Sequence, residues 1–443
     1  MPEKIYDVAV VGAGIAGLTA AISLQKNGRN VIVLERRRVA GGLCGTANYG
    51  GYEFSIGCND FGSGFSQRMK RLGVFTPFQS RRSIFRIGQR VFTFPPDPKT
   101  LMRMSADLPG LARIGRSLKN LSVSDQYPVM EQFLDAHACR TKTADLLALV
   151  PYAMGAAPAV MPTSWLRETF SRQYEYGVAK SMVPGGGPAR LIDDMVMAFE
   201  SAGGHLVLGV EVSQIEGVHP ERTLNSTAGI FRASRVVTSQ PRTGEYQSTG
   251  RPGLASGMIH LVVDKSFTYP RNAHTLGYFP ARTSSWLNLL NQGEMPNEFG
   301  FHAFPSTLRH ETDYLGLNVC FLVPRGFESL TKPEEDVMSE FVMQEIERIL
   351  PGVGSKVLDS LFISPETFTI ISDGLSSRPV PIIPNPRVKK PSIYDPVRDL
   401  CHVGNSVEPP GEHSGGALLS GLMAAEIIRK GQARGPSDPH PVA

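Results

Sequence analysis

The sequence is 443 residues long, and it is poor in several things at once; each shortage removes a class of protein. There are five cysteines (Cys44, Cys58, Cys139, Cys320 and Cys401), and no two form a C-x-x-C pair. Scattered and odd in number, they argue against a disulfide scaffold or a cysteine zinc site and suit a reducing compartment. Charged residues make up 19%, the net charge is only +4, and no Lys/Arg tract appears. Nothing resembles a nucleic-acid footprint. No apolar run is long enough to span a membrane, and no signal peptide precedes the first strand, which begins by Ile5. The expectation is a cytoplasmic protein, without metal, since Ser/His/Asp, metal-ligand and P-loop constellations are missing too. Against these shortages stand a hydrophobic content of 41% and a length that suits two domains, or one domain with a large insertion.

The amino end carries the strongest signal. In "IYDVAVVGAGIAGLTAAISLQKNGRNVIVLE" the run Tyr6 to Val11 is β-branched and apolar, as a buried parallel strand is. Gly12, Gly14 and Gly17 follow in G-x-G-x-x-G spacing. The first permits a tight turn, the second lets backbone approach a pyrophosphate, and the third lets helix pack on strand. Ile15 and Ala16 then open a helix whose free N–H groups and positive dipole end favour phosphate. A second strand, Asn30 to Leu34, ends at Glu35, whose carboxylate suits ribose hydroxyls. With strand, turn, helix, strand and acid in order, the segment predicts dinucleotide binding. Glu35 disfavours a 2′-phosphate, although Arg36, Arg37 and Arg38 beside it pull the other way. The continuation favours FAD. A second glycine pair, Gly41 and Gly42, comes directly after the ribose position, and a hairpin-like stretch with Gly51, Phe54 and Gly57 follows. A nicotinamide domain would go straight on to another βα unit.

These residues resemble the opening of the flavin amine-oxidoreductase superfamily, which includes amine oxidases, protoporphyrinogen oxidases and phytoene desaturase-like enzymes. Glu35, Arg37, Gly41, Gly42, Gly51, Phe54 and Gly57 match its pattern. Leu43 departs where many members carry arginine among the phosphate contacts, and Ser55 departs where Asp is usual, at a structural position. Two later segments extend the resemblance. "MVPGGGPARLIDDMVMAFESAGGHLVLGVEVSQIE" reads as a glycine loop, a helix and a strand from His205 to Val212, and the resemblance turns backbone beside Val212 towards the adenine. "FRASRVVTSQP" resembles the strand that closes this excursion. Near the carboxyl end, "CHVGNSVEPPGEHSGGALLSG" falls where the family keeps its flavin motif. The resemblance puts Gly404 and Asn405 beside the pyrophosphate and ribityl chain. Gly415, Gly416 and Ala417 become the start of a helix aimed at the flavin. Asn405 stands where most members have Asp or Glu.

The implied architecture is α/β: a Rossmann-type FAD-binding domain with a discontinuous α+β substrate domain. Residues 1–70, 180–245 and 390–435 would form the first, 71–179 and 246–389 the second, and 436–443 a flexible tail. "GMIHLVVDKS" and "GLNVCFLVP" read as strands of a mixed sheet, and "KPEEDVMSEFVMQEIERIL" as a helix backing it. Tyr174, Tyr176, Trp286, Phe301 and Phe304 are either an aromatic pocket or ordinary core. "FPPDPKTLMRMSADLPGLARIGRSLKNL" mixes apolar and basic residues. It is either a solvated helix pair or, as the resemblance to phytoene desaturase-like enzymes implies, a peripheral membrane contact.

Two side chains are candidates for proton chemistry. His413 lies on the loop that the resemblance puts beside the flavin, and with a pKa near neutrality it could exchange a proton; its alternative is a helix-cap neighbour. Glu408 shares the loop, and its alternative is an acid turned to water. Cys401 as a covalent flavin link competes with an inert buried thiol. The leading expectation is an FAD-dependent oxidoreductase that dehydrogenates a C–N or C–C bond of an apolar small molecule. Only one dinucleotide fingerprint is present, so electrons would leave to oxygen or a quinone. A flavin-dependent isomerase and a binding module like the GDP-dissociation inhibitors are the alternatives.

Overall fold

β1 (Ile5–Val11) ends at Gly12, α1 (Ile15–Lys26) follows, and β2 (Val31–Glu35) returns parallel to β1, with Val8 opposite Val31 and Val11 opposite Leu34. The sequence predicts this unit to within one residue. The computed structural model describes residues 5–120, 122–137, 141–169, 181–242, 250–308, 310–372, 381–386, 388–409 and 413–431. Cys139, Tyr174, Tyr176 and the tail 436–443 lie outside them.

The first sheet has eight strands. Across it lie His205–Leu208, β2, β1, Gly229–Thr238, Glu221–Ser226 and Val212–Val218. Leu400–His402 pairs with the far end of Gly229–Thr238, so that Thr238 meets His402. β1 pairs in parallel with Gly229–Thr238 over its whole length, from Ile5 opposite Arg232 to Val11 opposite Thr238. The carboxyl ends of three segments from distant parts of the chain therefore stand side by side, the arrangement that places ligands in open α/β sheets. One expectation changes. The strand expected from His205 to Val212 is two strands. Gly209, at φ 73°, breaks it in the left-handed region that only glycine adopts freely. Gly209 N–H donates to Arg37 O at 3.0 Å and Val210 N–H to Glu35 O at 2.8 Å, carrying the chain over the end of β2.

α1 is rich in small residues because it is enclosed. Ala16, Leu18, Ala20, Ala21, Ile22 and Leu24 are all buried in a core shared with helices Gly187–Ser201 and Ser414–Arg429. A Cβ on Gly17 would stand 2.0 Å from Gly12 O, and one on Gly421 2.3 Å from Ala16 O. The backbones approach because those side chains are absent.

The second sheet has seven strands, in the order Val357–Ile363, Ser256–Asp264, Tyr314–Leu322, Phe301–Pro305, Ala273–Phe279, Arg82–Ile87, Arg90–Phe94. Side chains alternate across it with period two. Ile259, Leu261, Tyr278, Phe301, Ala303, Leu317, Val319 and Phe321 turn to one face and pack on helix Lys332–Ile349, through Met338, Val342 and Ile346. That helix starts where its sequence says it should. Thr331 and Glu334 form a capping box just before the apolar stripe. The opposite face is shared. A helical lobe covers Phe279 and Trp286 at one end, and the hairpin Thr46–Tyr49/Tyr52–Ser55 covers Met258 and Ile363 at the other. Trp286 and Phe301 are core residues, 4% and 0% exposed. Phe304 stacks on His274 at 6.0 Å. The stretch from Phe94 contains two short helices, Pro98–Met104 and Leu108–Ser117.

Gly421→Val should cost about 1–3 kcal/mol of stability, because overpacking forces the helix backbones apart. A urea melt of the variant checks this; an unchanged midpoint would mean that the two helices are not held at this crossing.

Candidate dinucleotide and substrate site

The three parallel strand ends and β2 define the first half of the site. Gly12 N–H bonds Leu34 O at 2.8 Å, Ser239 N–H bonds Val11 O at 2.9 Å, and Val403 N–H bonds Thr238 O at 2.9 Å. The glycines at this edge divide into two kinds. A Cβ on Gly12 would meet Ser239 Oγ at 2.0 Å, so internal packing already requires that glycine. A Cβ on Gly14 or Gly404 would meet no protein atom within 4 Å. What these two leave clear is space beside the strand ends, where a ligand backbone can lie. α1 opens at Gly14 with no side-chain cap, leaving its first N–H groups turned to that space.

Glu35 closes the other side. Its Oε2 accepts from Ala13 N–H at 2.6 Å and its Oε1 from Arg37 N–H at 2.9 Å. Each oxygen keeps a second lone pair for a ribose hydroxyl. Gly41 N–H donates to Ala13 O at 2.9 Å, which brings the Gly41–Gly42 pair against the turn. The three arginines separate. Arg37 is 7% exposed, and its Nη1 has no hydrogen-bond partner among the described residues, so a buried cation stands ready for an anion. Arg36 is exposed and lies 3.7 Å from Glu211, away from the cleft, a surface pair of little energetic weight. Leu43 packs with Ala47, Phe54 and Ile56, so its side chain brings no polar contact. Val212 is buried beside Leu34 and Val210, and its carbonyl accepts from Gln240 Nε2 at 3.1 Å.

The carboxyl-terminal motif folds against the same edge. Gly404 N–H donates to Ser420 Oγ at 2.8 Å, and Ser420 Oγ donates to Ala417 O at 2.6 Å. That hydroxyl ties the strand-end loop to the first turn of helix Ser414–Arg429, where Gly415, Gly416 and Ala417 lie. Lys390 Nζ, buried, donates to Asn405 O at 2.6 Å, while Asn405 Oδ1 is a buried acceptor with no partner among the described residues. Neither Ser420 nor Lys390 stands out in the sequence, because serine in a helix and a lysine after Pro/Val residues are both commonplace.

His413 is the N-cap of that helix: its Nδ1 accepts from Gly416 N–H at 3.2 Å. Burial first, and then the neighbouring Lys390 charge, push its pKa down to about 4, which corrects the expectation of a group poised near neutrality. Glu408 is half-buried, and burial raises its carboxyl pKa while Lys389 opposes the rise. Cys401 is buried in its strand, its thiol pushed up to about 12 by burial.

The second half of the candidate site is on the seven-stranded second sheet, the inner sheet from here on, and the sequence gives little sign of it. Asn318 Nδ2 donates to Ser55 O at 2.9 Å and lies 3.1 Å from Ser55 Oγ; Ser55 N–H donates to Ser306 Oγ at 2.9 Å. The hairpin Thr46–Tyr49/Tyr52–Ser55 is thereby fastened to the inner sheet. Next along the same face, Cys320 and His302 are direct cross-strand neighbours. His302 Nδ1 lies 3.0 Å from Tyr152 Oη, and Tyr152 Oη donates to Cys320 O at 3.0 Å.

The group these residues fit is a dinucleotide. Open space at Gly14 and Gly404, the Nη1 of Arg37 and the Oδ1 of Asn405 are what a pyrophosphate and the polyol or ribose beside it would use.

Comparison with known proteins agrees with this geometry. A family model described as an NAD(P)-binding Rossmann-like domain matches residues 10–72. Human all-trans-retinol 13,14-reductase is 47% identical over 62 residues, covering 14% of this chain and 10% of that protein. Prolycopene isomerase of Arabidopsis thaliana is 33% identical over 99 residues, 22% of this chain and 15% of that protein. The similarity thus spans only a small part of either relative's length. Among solved structures, cyclohexylamine oxidase from Brevibacterium oxydans covers 97% of this chain and 100% of its own, with a TM-score of 0.67 at 15% identity. That likeness is one of fold.

Gly14→Val should abolish dinucleotide retention yet leave the apoprotein's melting temperature nearly unchanged, since only ligand space is filled. Gly12→Val should destabilise the apoprotein itself. Thermal melts and flavin absorbance of both variants check the pair; retained flavin in Gly14→Val would refute the assignment.

His413 also sets a pH expectation. It is neutral in the fold with a pKa of about 4, against 6.5 for the free side chain. As pH falls from about 6.5 to about 4, the unfolded chain takes the proton first, so the contribution present above 6.5 is lost across that window. His413→Asn, a cap that does not titrate, should flatten the acid limb of apoprotein stability measured by denaturant melts.

Proposed function

Taking as premise a chain with the fold and nucleotide loop of the flavin amine-oxidoreductase superfamily, we propose that it is an FAD-dependent oxidoreductase acting on an apolar or partly apolar small molecule. The observation that carries this is the convergence of open glycines, Arg37 and Asn405 at the carboxyl edge of one sheet. FAD, when bound, would supply a two-electron acceptor for the oxidation of a substrate C–H bond. The chain's own residues bind, orient and polarise. Glu35 takes ribose hydroxyls, while α1 and Arg37 take the pyrophosphate. Gly404 and Asn405 border the ribityl chain. The positive end of helix Ser414–Arg429 stabilises negative charge that builds near it in the reaction. Neutral His413 fixes the start of that helix. Of the two candidates for proton transfer, Glu408 is the better suited, because burial raises its carboxyl pKa whereas it lowers that of His413.

The apolar character of the substrate is supported from outside as well. Leu101, Met102 and Leu108 are 45%, 72% and 45% exposed on the lobe's short helices, among exposed Arg103, Arg113 and Arg116. Such a surface suits peripheral contact with a bilayer and uptake of an apolar molecule from it. Oxygen or a quinone is the proposed final acceptor. The similarity to prolycopene isomerase favours one second reading, an isomerisation that leaves no net electrons behind.

The purified protein should be yellow, and acid should release the colour into the supernatant. Under anaerobic conditions, amines or polyenes are then added and the flavin absorbance followed. Bleaching that oxygen or a quinone reverses is the expected result, with NADPH reducing the flavin slowly if at all. Turnover that demands pre-reduced flavin and consumes no acceptor would support the isomerase. A colourless protein that cannot be reconstituted would leave a binding module.

A further inference from the structure

The inner sheet carries a polar group that the dinucleotide site does not use. Along Phe301–Pro305 and Tyr314–Leu322 the residues facing helix Lys332–Ile349 are sealed: Phe301, Ala303, Val319 and Phe321 are 0–1% exposed. His302 and Cys320 alternate with them, yet both keep accessible surface. They look into the seam where three bodies meet, namely the sheet, the helical lobe through Tyr152, and the hairpin cluster of Leu43, Phe54 and Ile56 with which Cys320 packs.

Hydrogen bonding fixes the state of the imidazole. Tyr152 gives its proton to Cys320 O, so the close contact between Tyr152 Oη and His302 Nδ1 requires the proton on Nδ1. Nε2 then bears a lone pair that can accept a hydrogen bond. Burial pushes the His302 pKa down to about 4, so this tautomer stays uncharged at neutral pH. His274, close enough to lower the His302 pKa, is the other imidazole of this region, and its Nε2 has no hydrogen-bond partner among the described residues. Cys320 is a thiol held neutral by burial, its pKa about 12, and Phe279 and Phe304 lie on either side, 4.7 Å from the Tyr152 ring and 5.7 Å from His302. Asp60 is near enough to raise the His302 pKa but is itself exposed, so a buried ammonium would lack a buried counter-ion.

We propose that His302, oriented by Tyr152, is the specificity-determining group of the substrate site. Its Nε2 accepts a hydrogen bond from the hydroxyl or uncharged N–H of an otherwise apolar molecule lying along the seam. This rests on the oxidoreductase reading only for what happens to the molecule once bound. An imidazole acceptor in a mostly apolar seam discriminates against a ligand that lacks the matching donor, because such a ligand displaces water without replacing its hydrogen bond.

The test uses two probes that differ by that donor: farnesol, and farnesyl methyl ether. Each is titrated into the purified protein and followed by flavin absorbance and by fluorescence of Trp286, whose ring lies 6.3 Å from Tyr152. Farnesol should bind the wild type at least about tenfold more tightly than the ether, the ratio worth one hydrogen bond. His302→Phe should bring that ratio near one, with full flavin content and an ether affinity within about twofold of wild type. Tyr152→Phe, which frees the imidazole to move its proton to Nε2, should lower the ratio in part. Equal affinities in the wild type, no measurable binding of either probe, or an unchanged ratio in His302→Phe would each overturn the proposal. A colourless protein would sink the FAD reading, while the fluorescence titration still decides on His302.

Discussion

The rest of the molecule depends on one backbone ladder. Strand Gly229–Thr238 hydrogen-bonds β1 on one side and, at its far end, Leu400–His402. By sequence these three segments belong to the start, middle and end of the chain; by hydrogen bonding they are neighbours. Because all three run parallel, their carboxyl ends deliver Gly12, Ser239 and Gly404 to one edge. Parallel strands need long crossovers to connect them, and here the crossovers are large enough to contain the entire second sheet. The ladder thus both builds the nucleotide edge and determines where the inserted layer can stand.

Packing then separates glycines that serve the protein from glycines that serve a ligand. Gly12, Gly17 and Gly421 have protein atoms where a Cβ would go, and the close passage of α1 against its neighbours follows from that. Gly14 has nothing there; Gly404 has open space too, but its φ of 101° already calls for glycine. A motif such as G-x-G-x-x-G merges the two kinds, and only three-dimensional neighbours tell them apart. The charges behave likewise. Arg36 and Arg37 are adjacent in sequence, but the end of β2 turns one to Glu211 and solvent and buries the other against the Thr46 carbonyl.

Legibility followed range. β1, α1 and β2 were readable because their signals are local: a β-branched run, a glycine turn, a second apolar strand and an acid. The C-terminal motif was readable as a place, but the glycine there that packing most demands is Gly421, whose partner is Ala16, far away in sequence. His413 was recognisable as a residue of interest, yet its depressed pKa comes from burial and from Lys390, and burial is not a local property. The His302–Tyr152 pair was invisible for the same reason. Nothing near residue 302 predicts that Cys320 will lie opposite it or that a helix of the lobe will bring a tyrosine hydroxyl within 3.0 Å.

Ser55 has a mechanical meaning of its own. Through Ser306 and Asn318 it joins the nucleotide hairpin to the inner sheet by bonds closed off from water, and His260 braces Asn318 from behind at 2.7 Å. Pulling the hairpin away from the second sheet would strand several polar groups at once. The hairpin and that sheet therefore move as one piece, and any change of spacing between the two halves of the site has to break these bonds together.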